Sequence, residues 1–228
     1  MATDQDDDRG SGMMKTAGWW LPKGDQYFGK FLANKTPKQN GFQRDHLLEA
    51  FKHVKKWDVA IDVGAHVGFW TRDMAERFAS VFAFEAAPDT FACLERNMIE
   101  CGHVIARHAA AGADDGCCQI EEDPSRAGNT GSRFIRAGRG DTPMVSLDGL
   151  GFRGCDLLKV DVEGYEWQVL CGAEKLIEAH SPVVIMETDK DFASPRYGVA
   201  SDAAERFLLD RGYREVAHMR PDKVFVRP

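Results

Sequence analysis

Acidic side chains stand at or beside the ends of apolar runs at two places in this chain. Asp62 falls in a run that leads into a glycine turn, and Asp161 and Glu163 follow a second run much further along. Carboxylates at such places can hold hydroxyl or ammonium groups of a ligand, or take a proton from a reacting group. Together they indicate a nucleotide-type cofactor pocket with an acidic reaction site beside it.

The glycine turn joins a predicted strand to a predicted helix. Residues 59–61 are apolar, and apolar residues recur at helical spacing over 69–75. Glycine at Gly64 and Gly68 lets backbone N–H groups approach a ligand that side chains would block. Glu85 ends the next apolar run, which is where a doubly wound fold binds a ribose diol.

Length and composition indicate one catalytic domain. The chain has 228 residues, of which 43% are hydrophobic, enough for one sizeable core. The formal net charge of −7 argues against a protein that clamps a nucleic-acid backbone. No apolar stretch approaches the roughly 20 residues needed to cross a bilayer, and the acidic N-terminus is unlike a signal peptide. We therefore expect a cytoplasmic protein that binds neither nucleic acid nor membrane.

Segments of different composition divide the chain. Residues 1–17 are acidic without apolar periodicity and are expected to form a disordered tail. Residues 18–55 form either a cap on one sheet edge or a lid with an aromatic wall over the substrate. The catalytic domain would then span 56–228, with a β-rich insertion near 109–145. The candidates for the aromatic wall are Trp19, Trp20, Tyr27 and Phe28.

Strands alternate with helices through the catalytic domain. This alternation predicts an α/β fold with a mostly parallel sheet, helices on both faces and ligands outside the carboxyl ends of the strands. The predicted strands are 59–61, 81–84, 104–106, 157–161, 183–187, one near Val216 and 224–226, and the predicted helices are 69–75, one starting at Pro88, 165–177 and 203–209.

The glycine turn departs from the dinucleotide-binding pattern. That pattern is G-x-G-x-x-G, whereas this chain has Gly64 and Gly68 alone, with Asp62 two places before the first of them. An acid at this entrance suits a ligand with an ammonium and a sulfonium, such as S-adenosylmethionine, better than one with two phosphates. A nicotinamide-dependent oxidoreductase and a non-catalytic binding module with the same fold stay open as alternatives.

Four segments carry a resemblance to a known family. They are 62–68, 84–88, 146–150 and 158–166, the last being the most specific. On these motifs the chain resembles the FkbM-type family of S-adenosylmethionine-dependent methyltransferases. The resemblance implies a Rossmann-like class I methyltransferase sandwich with a mostly parallel seven-stranded sheet. The chain departs from the family pattern at His66, where asparagine is frequent, and at Ala86, where proline is usual.

The resemblance also implies roles for individual residues. The glycine turn would surround the methionine part of the cofactor, Glu85 would hold the ribose hydroxyls, and Asp161 would face the reacting methyl group. Asp115, or its neighbour Asp114, could reach the adenine. The cofactor-binding residues are then Asp62, Gly64, Ala65, His66, Gly68, Glu85, Ala86, Asp115 and Asp161.

The family likeness favours O-methylation of a hydroxyl group on a small molecule or glycan. Because an alcohol is a weak acid, a base should lie within hydrogen-bond reach of its proton. Asp161, Glu163 and His66 are the catalytic candidates, and Glu187 is a weaker one. Glu163 could instead stabilise the following helix, and His66 could pack or bond a backbone carbonyl.

No compact motif in the sequence demands a metal ion, although the oxygen-rich set Asp161, Glu163 and Glu187 could suit a divalent cation such as magnesium. The six cysteines form no C-x-x-C pair, so neither a zinc site nor a disulfide framework is indicated. Lys159 is expected to form a partly buried ion pair with Asp161. A homo-oligomer is possible, and no residue pattern specifies it.

Overall fold

The computed structural model describes residues 12–34, 41–188 and 191–228. The strands are β1 (Met13–Thr16), β2 (Trp19–Pro22), β3 (Val59–Val63), β4 (Ser80–Glu85), β5 (Val104–His108), β6 (Ala110–Ala111), β7 (Gly116–Glu121), β8 (Phe134–Ala137), β9 (Thr142–Val145), β10 (Leu157–Val160), β11 (Val183–Glu187), β12 (Arg214–Met219) and β13 (Asp222–Val226). The helices are α1 (Gln26–Ala33), α2 (Arg44–Phe51), α3 (Phe69–Ala75), α4 (Pro88–Met98), α5 (Glu166–Cys171), α6 (Glu174–His180), α7 (Ala193–Tyr197) and α8 (Ala203–Leu209). In the described ranges, no helix combines the length and apolar character needed to span a membrane.

The central sheet has seven strands in the order β12-β13-β11-β10-β3-β4-β5. The five strands from β11 to β5 run parallel, and β13 and β12 close the sheet antiparallel. The predicted α/β fold with a mostly parallel sheet is confirmed. In the register of β3 and β10, Lys159 lies opposite Asp62, so a buried base and a buried acid meet at the carboxyl ends of the two central strands.

Alternate residues of the central strands point to opposite faces of the sheet, and each face carries its own apolar core. Ile61 and Leu158 belong to the core that includes α5, α6 and α8. Ala60 and Leu157, their immediate neighbours in the chain, belong to the core that includes α2 and α3. Strands buried on both faces read as continuous apolar runs, which is why the sequence identified them.

The segment near 109–145 builds a second sheet of four short strands, in the order β6-β9-β7-β8. This insertion leaves the main sheet after β5 and returns before β10. It packs against the N-terminal segment, because the backbone N–H groups of Gln26 and Tyr27 both donate to the carbonyl of Gly128. The insertion and the N-terminal segment together cover the carboxyl ends of the central strands.

The expected disordered tail needs a correction over its last residues. β1 pairs with β2 in an antiparallel hairpin, whose turn at Ala17 and Gly18 has positive φ angles of 47° and 82°. The hairpin is anchored to α4, since the amide of Asn97 bridges the backbone N–H and carbonyl of Trp20 at 2.8 and 2.9 Å. The acidic part of the tail, 1–11, lies outside the described residues.

The predicted helix over 165–177 is wrong in one respect, because it is two helices. Asp148, from a distant loop, accepts hydrogen bonds from the backbone N–H groups of Lys175 and Leu176 at the start of α6. The carbonyl of Gly172, between the helices, accepts from the backbone N–H of Asp148 and the hydroxyl of Ser146. A long-range cap therefore ends one helix and begins the next.

We expect Gly172→Ala to lower the free energy of unfolding by about 3 kcal/mol. A Cβ at this position would lie 1.9 Å from the carbonyl oxygen of Gly112, so the insertion would have to move away from α5. The φ of −80° at Gly172 is accessible to alanine, which makes the effect purely steric. Urea unfolding measures the change.

Gly102→Ala is the matched control. A Cβ at this position meets nothing within 4 Å, and the expected change is within about 0.5 kcal/mol. Equal midpoints and slopes for the two variants would contradict the proposed packing of Gly172.

Candidate functional site

A cavity of about 550 Å³ lies at the carboxyl ends of the central strands. Its floor is the glycine turn with the ends of β3, β4 and β10. Most of its walls come from the N-terminal segment and the insertion, and α3 and the turn between β12 and β13 complete them. A larger cavity of about 1090 Å³ opens at the amino ends of the central strands, and none of the predicted site residues lines it. Ligands of open α/β sheets bind at the carboxyl ends, so the smaller cavity is the candidate site.

Asp62 is fully buried beneath this cavity and does not line it. Its carboxylate accepts a hydrogen bond from the hydroxyl of Thr71 at 2.6 Å and lies 3.0 Å from the ammonium of Lys159. That ammonium also donates to the carbonyl oxygen of Gly64 at 2.5 Å. Burial opposes the charge on Lys159, yet the neighbouring carboxylates of Asp62 and Asp161 raise its pKa. Asp62 therefore holds the turn in place from below.

The two glycines of the turn have different surroundings. Gly64 lines the cavity at a φ of 75°, and a Cβ there would lie 1.8 Å from the carbonyl oxygen of Asp161. Gly68 precedes α3 and does not line the cavity; a Cβ there would meet Leu94 at 2.8 Å. Gly64 thus lets the two strand ends approach each other, whereas Gly68 lets α3 pack against α4. Ala65, between them, lines the cavity.

Glu85 stands at the end of β4 and lines the cavity together with Ala86. One carboxylate oxygen accepts the backbone N–H of His66 at 2.9 Å, and the other accepts that of Ala87 at 2.8 Å. Burial raises the pKa of Glu85 against these two bonds. Two backbone donors therefore fix the orientation of the carboxylate, and its remaining lone pairs can accept from ligand hydroxyls.

His66 lines the cavity with a left-handed backbone, at a φ of 53°. Its Nε2 lies 2.7 Å from the hydroxyl oxygen of Thr130, and its ring packs on that of Phe28, with 4.5 Å between centroids. Burial, with the nearby charges of Lys159 and Arg133, lowers the pKa of His66 to about 3. So weak a base takes protons poorly near neutral pH, which disfavours the catalytic role predicted for His66.

Asp161 and Glu163 follow β10 and both line the cavity, but their surroundings differ. The side chain of Asp161 is 39% exposed and lies 3.9 Å from the ammonium of Lys159. That of Glu163 is 6% exposed and pairs with Arg126 at 2.9 Å and Arg196 at 3.3 Å. Glu163 therefore fastens the insertion and α7 to the end of β10, which disfavours its predicted role as a base.

The structure does not bring the predicted adenine contact to the cavity. Neither Asp115 nor Asp114 lines it, and the carboxylate of Asp115 instead accepts the backbone N–H of Ser146 at 2.7 Å. The residues after β5 that do line the cavity are the small, apolar Ala109, Ala110 and Ala111. Asp114 and Asp115 come after these alanines, between β6 and β7 of the insertion, and lie outside the cavity.

The aromatic wall differs in composition from the predicted one, because Phe42, Phe69 and Trp70 line the cavity alongside two of the four predicted residues. Tyr27 and Phe28 line the cavity, while Trp19 and Trp20 do not. Trp19 packs on Phe69 with 4.5 Å between ring centroids. Glu187 lines the cavity and is buried. Across the described part of the chain, no group of three or more His, Cys, Asp and Glu is placed to hold a metal ion.

Several residues of the site carried no recognisable signal in the sequence. Asp25 and Thr130 form a hydrogen bond across two segments far apart in the chain, and no local pattern could have paired them. Glu166 lies within the family motif, but its role depends on the turn before it. Its carboxylate accepts the backbone N–H groups of Val162 and Gly164 at 3.2 and 3.0 Å, and so shapes the turn that follows Asp161.

Comparison with known proteins identifies the family of this chain. The sequence profile of the methyltransferase FkbM domain matches residues 62–215. The chain belongs to the FkbM methyltransferase family. The matched region of this FkbM family member runs from the buried Asp62 into β12, so it contains the whole glycine turn, the insertion and the end of β10.

Two curated relatives of this FkbM family member are methyltransferases. The hexuronic acid methyltransferase AglP of Haloferax volcanii is 31% identical over 146 residues, which cover 61% of this chain and 58% of that protein. Methyltransferase 1 of Beauveria bassiana is 27% identical over 195 residues, which cover 71% of this chain and 74% of that protein. The chain thus matches little more than half the length of AglP.

Solved structures show the same fold. The FkbM methyltransferase from Methylobacillus flagellatus KT has a TM-score of 0.50 and 17% identity, covering 75% of this chain and 43% of that chain. The precorrin-6y C5,15-methyltransferase from Geobacter metallireducens GS-15 has a TM-score of 0.50 and 13% identity, covering 84% of this chain and 91% of that chain. These likenesses establish a Rossmann-like methyltransferase fold.

Glu166 generates a pH prediction. Burial raises the pKa of Glu166 to about 7, so between pH 4.5 and 7 the folded protein holds a proton that the unfolded chain releases. The stabilisation from that proton is complete below pH 4.5 and is lost as the pH rises through 7. Relative to Glu166→Gln, which does not titrate, wild type should lose about 2 kcal/mol of unfolding free energy between pH 5 and pH 8.

Urea unfolding of both proteins at the two pH values measures this difference. Glu95→Gln, at an exposed position on α4, should follow wild type at both. A constant difference between wild type and Glu166→Gln would show that Glu166 titrates alike in the folded and unfolded states.

Proposed function

We propose that this protein transfers the methyl group of S-adenosylmethionine to a hydroxyl group of a small molecule or glycan. The observation that carries the proposal is the exposed carboxylate of Asp161 in the same cavity as the fixed carboxylate of Glu85. Glu85 is suited to bind the cofactor, and Asp161 is suited to react with the acceptor. Family membership supports the methyl transfer, and the residues of the cavity support the cofactor and the hydroxyl acceptor.

The residues present fit S-adenosylmethionine. Glu85, held by two backbone donors, would accept from the ribose hydroxyls. The backbone of Gly64 and Ala65 would border the methionine part, and the small apolar wall at Ala110 and Ala111 suits a flat adenine ring. When bound, the cofactor supplies a methyl carbon activated by positive sulfur.

Asp161 would act on the acceptor hydroxyl. Its exposed carboxylate accepts the hydroxyl proton, so that the oxygen carries more electron density as it reacts. The ammonium of Lys159 lies 3.9 Å from this carboxylate and attracts it, which helps to position it at the end of β10. The rings of Tyr27 and Phe28 form part of the wall and limit access of water.

The acceptor class is supported by the relative from Haloferax volcanii, whose name assigns it a hexuronic acid. A wall that mixes aromatic rings with the polar side chains of Asn129 and Thr130 is compatible with a sugar, which presents apolar faces and hydroxyl edges. We therefore take a glycan hydroxyl as the first acceptor to test.

Calorimetric titration tests the cofactor. Wild type should bind S-adenosylmethionine and not oxidised nicotinamide dinucleotide, and Glu85→Gln should weaken the binding about tenfold because a charge-assisted hydrogen bond is lost. Glu95→Gln removes the same charge at an exposed position on α4 and should leave the affinity unchanged. Binding of the nicotinamide dinucleotide alone would replace the methyltransferase proposal with the oxidoreductase.

Asp161→Asn tests the base. Turnover on a hexuronic acid glycoside should fall at least about 100-fold, while the affinity for S-adenosylmethionine should stay within about threefold because Glu85 and the glycine turn are intact. Asp141→Asn, at an exposed position before β9, is the matched control. Formation of S-adenosylhomocysteine measures the rate.

The chemistry of the methylated product shows whether the acceptor is a hydroxyl group or a carboxylate. A methyl ether resists mild alkali, whereas a methyl ester is hydrolysed. A carboxylate acceptor is already ionised and needs no base, so an alkali-labile product together with full activity of Asp161→Asn would contradict the hydroxyl assignment.

A further inference from the structure

A chain of hydrogen bonds joins three segments above the glycine turn. Asp25 caps the N-terminus of α1, with one carboxylate oxygen accepting the backbone N–H of Phe28 at 2.8 Å. Its other oxygen accepts from the hydroxyl of Thr130 in the insertion. The oxygen of Thr130 lies 2.7 Å from Nε2 of His66. The N-terminal segment and the insertion are thereby connected to the glycine turn.

The donors and acceptors in this chain determine where the protons lie. A carboxylate can only accept, so the single hydroxyl hydrogen of Thr130 goes to Asp25. The oxygen of Thr130 must then accept from His66, which places the imidazole hydrogen on Nε2. Burial keeps the pKa of His66 near 3, so Nδ1 carries no hydrogen at neutral pH and is an acceptor.

Nδ1 of His66 is buried and has no hydrogen-bond partner among the described residues. Most buried polar atoms in proteins are hydrogen-bonded, and an exception calls for a functional explanation. The imidazole ring of His66 borders the cavity and packs against the ring of Phe28. A donor for this nitrogen would therefore have to come with the ligand.

We propose that Asp25 and Thr130 are positioning residues that hold His66 as the tautomer whose Nδ1 accepts a hydrogen bond from the ammonium group of the bound cofactor. This inference rests on the proposed function, since it concerns the methionine end of S-adenosylmethionine. It also accounts for the histidine at this position of the turn. The N-terminal segment, through Asp25, and the insertion, through Thr130, would then both influence cofactor binding by way of the ring of His66.

The experiment compares Thr130→Val and Thr130→Ser in the full chain, with thermal unfolding to confirm that each variant is folded. Valine keeps the shape of threonine but cannot bond either partner, whereas serine keeps the hydroxyl. Affinities are measured for S-adenosylmethionine, for decarboxylated S-adenosylmethionine, which keeps the ammonium group, and for 5′-methylthioadenosine, which lacks both the ammonium and the carboxylate. Nitrogen NMR of ¹⁵N-labelled histidine reports the tautomer of His66, and His66→Phe identifies its signals.

Thr130→Val should lose about tenfold in affinity for S-adenosylmethionine and for its decarboxylated form, since both carry the ammonium group. It should bind methylthioadenosine as wild type does, and show a mixture of His66 tautomers. Thr130→Ser should restore both the affinity and the single tautomer. In wild type, the Nδ1 signal should shift on addition of S-adenosylmethionine and stay unchanged with methylthioadenosine.

Two results would overturn the inference while leaving the proposed function in place. One is that Thr130→Val keeps the wild-type affinity for decarboxylated S-adenosylmethionine, which would show that the ammonium is not the contacted group. The other is an equal loss for all the ligands, which would show that the network only shapes the cavity. If folded wild type binds none of them, the proposed function fails, and the inference fails with it.

Discussion

The buried ammonium of Lys159 is the interaction on which the site depends. It ties the ends of the two central strands together, because it contacts the carboxylate of Asp62 and the carbonyl of Gly64 on one side and approaches Asp161 on the other. Removing one partner of a buried ion pair costs several kcal/mol, since the remaining charge is left without compensation. The glycine turn and the carboxylate of Asp161 are consequently held in one fixed arrangement.

The ionisable side chains around Lys159 have different surroundings, and these surroundings suit each of them to a different role. Burial holds His66 neutral and raises the pKa of Glu166, which keeps its place at the backbone of the turn. Glu163 is neutralised by two arginines. Asp161 keeps both exposure and a nearby cation, which is why the geometry favours it as the group that meets the acceptor.

The cavity has two parts with different origins. Its floor comes from the strand ends and the glycine turn, which belong to the fold shared with other methyltransferases. Most of its walls come from the N-terminal segment and the insertion, which meet each other over the floor through Gly128 and Thr130. Acceptor choice would therefore lie with the walls, while the cofactor would be held by the floor.

The sequence by itself determined the parallel sheet, the glycine turn and the position of Glu85 and Asp161 at strand ends. These follow from local patterns, because buried strands read as apolar runs and the turn needs glycine where Gly64 meets the neighbouring strand. The family motif at 158–166 added the kind of chemistry. All of this information lies within short stretches of chain.

Only the tertiary structure decided which side chains meet. The pairing of Asp25 with Thr130, the arginines on Glu163, and the cap that divides the helix at Gly172 all join residues far apart in sequence. Burial, which sets the pKa of His66, is likewise a property of the whole packed molecule. For the same reason Asp115, plausible from its position after a strand, lies away from the cavity: its surroundings depend on the course of the insertion.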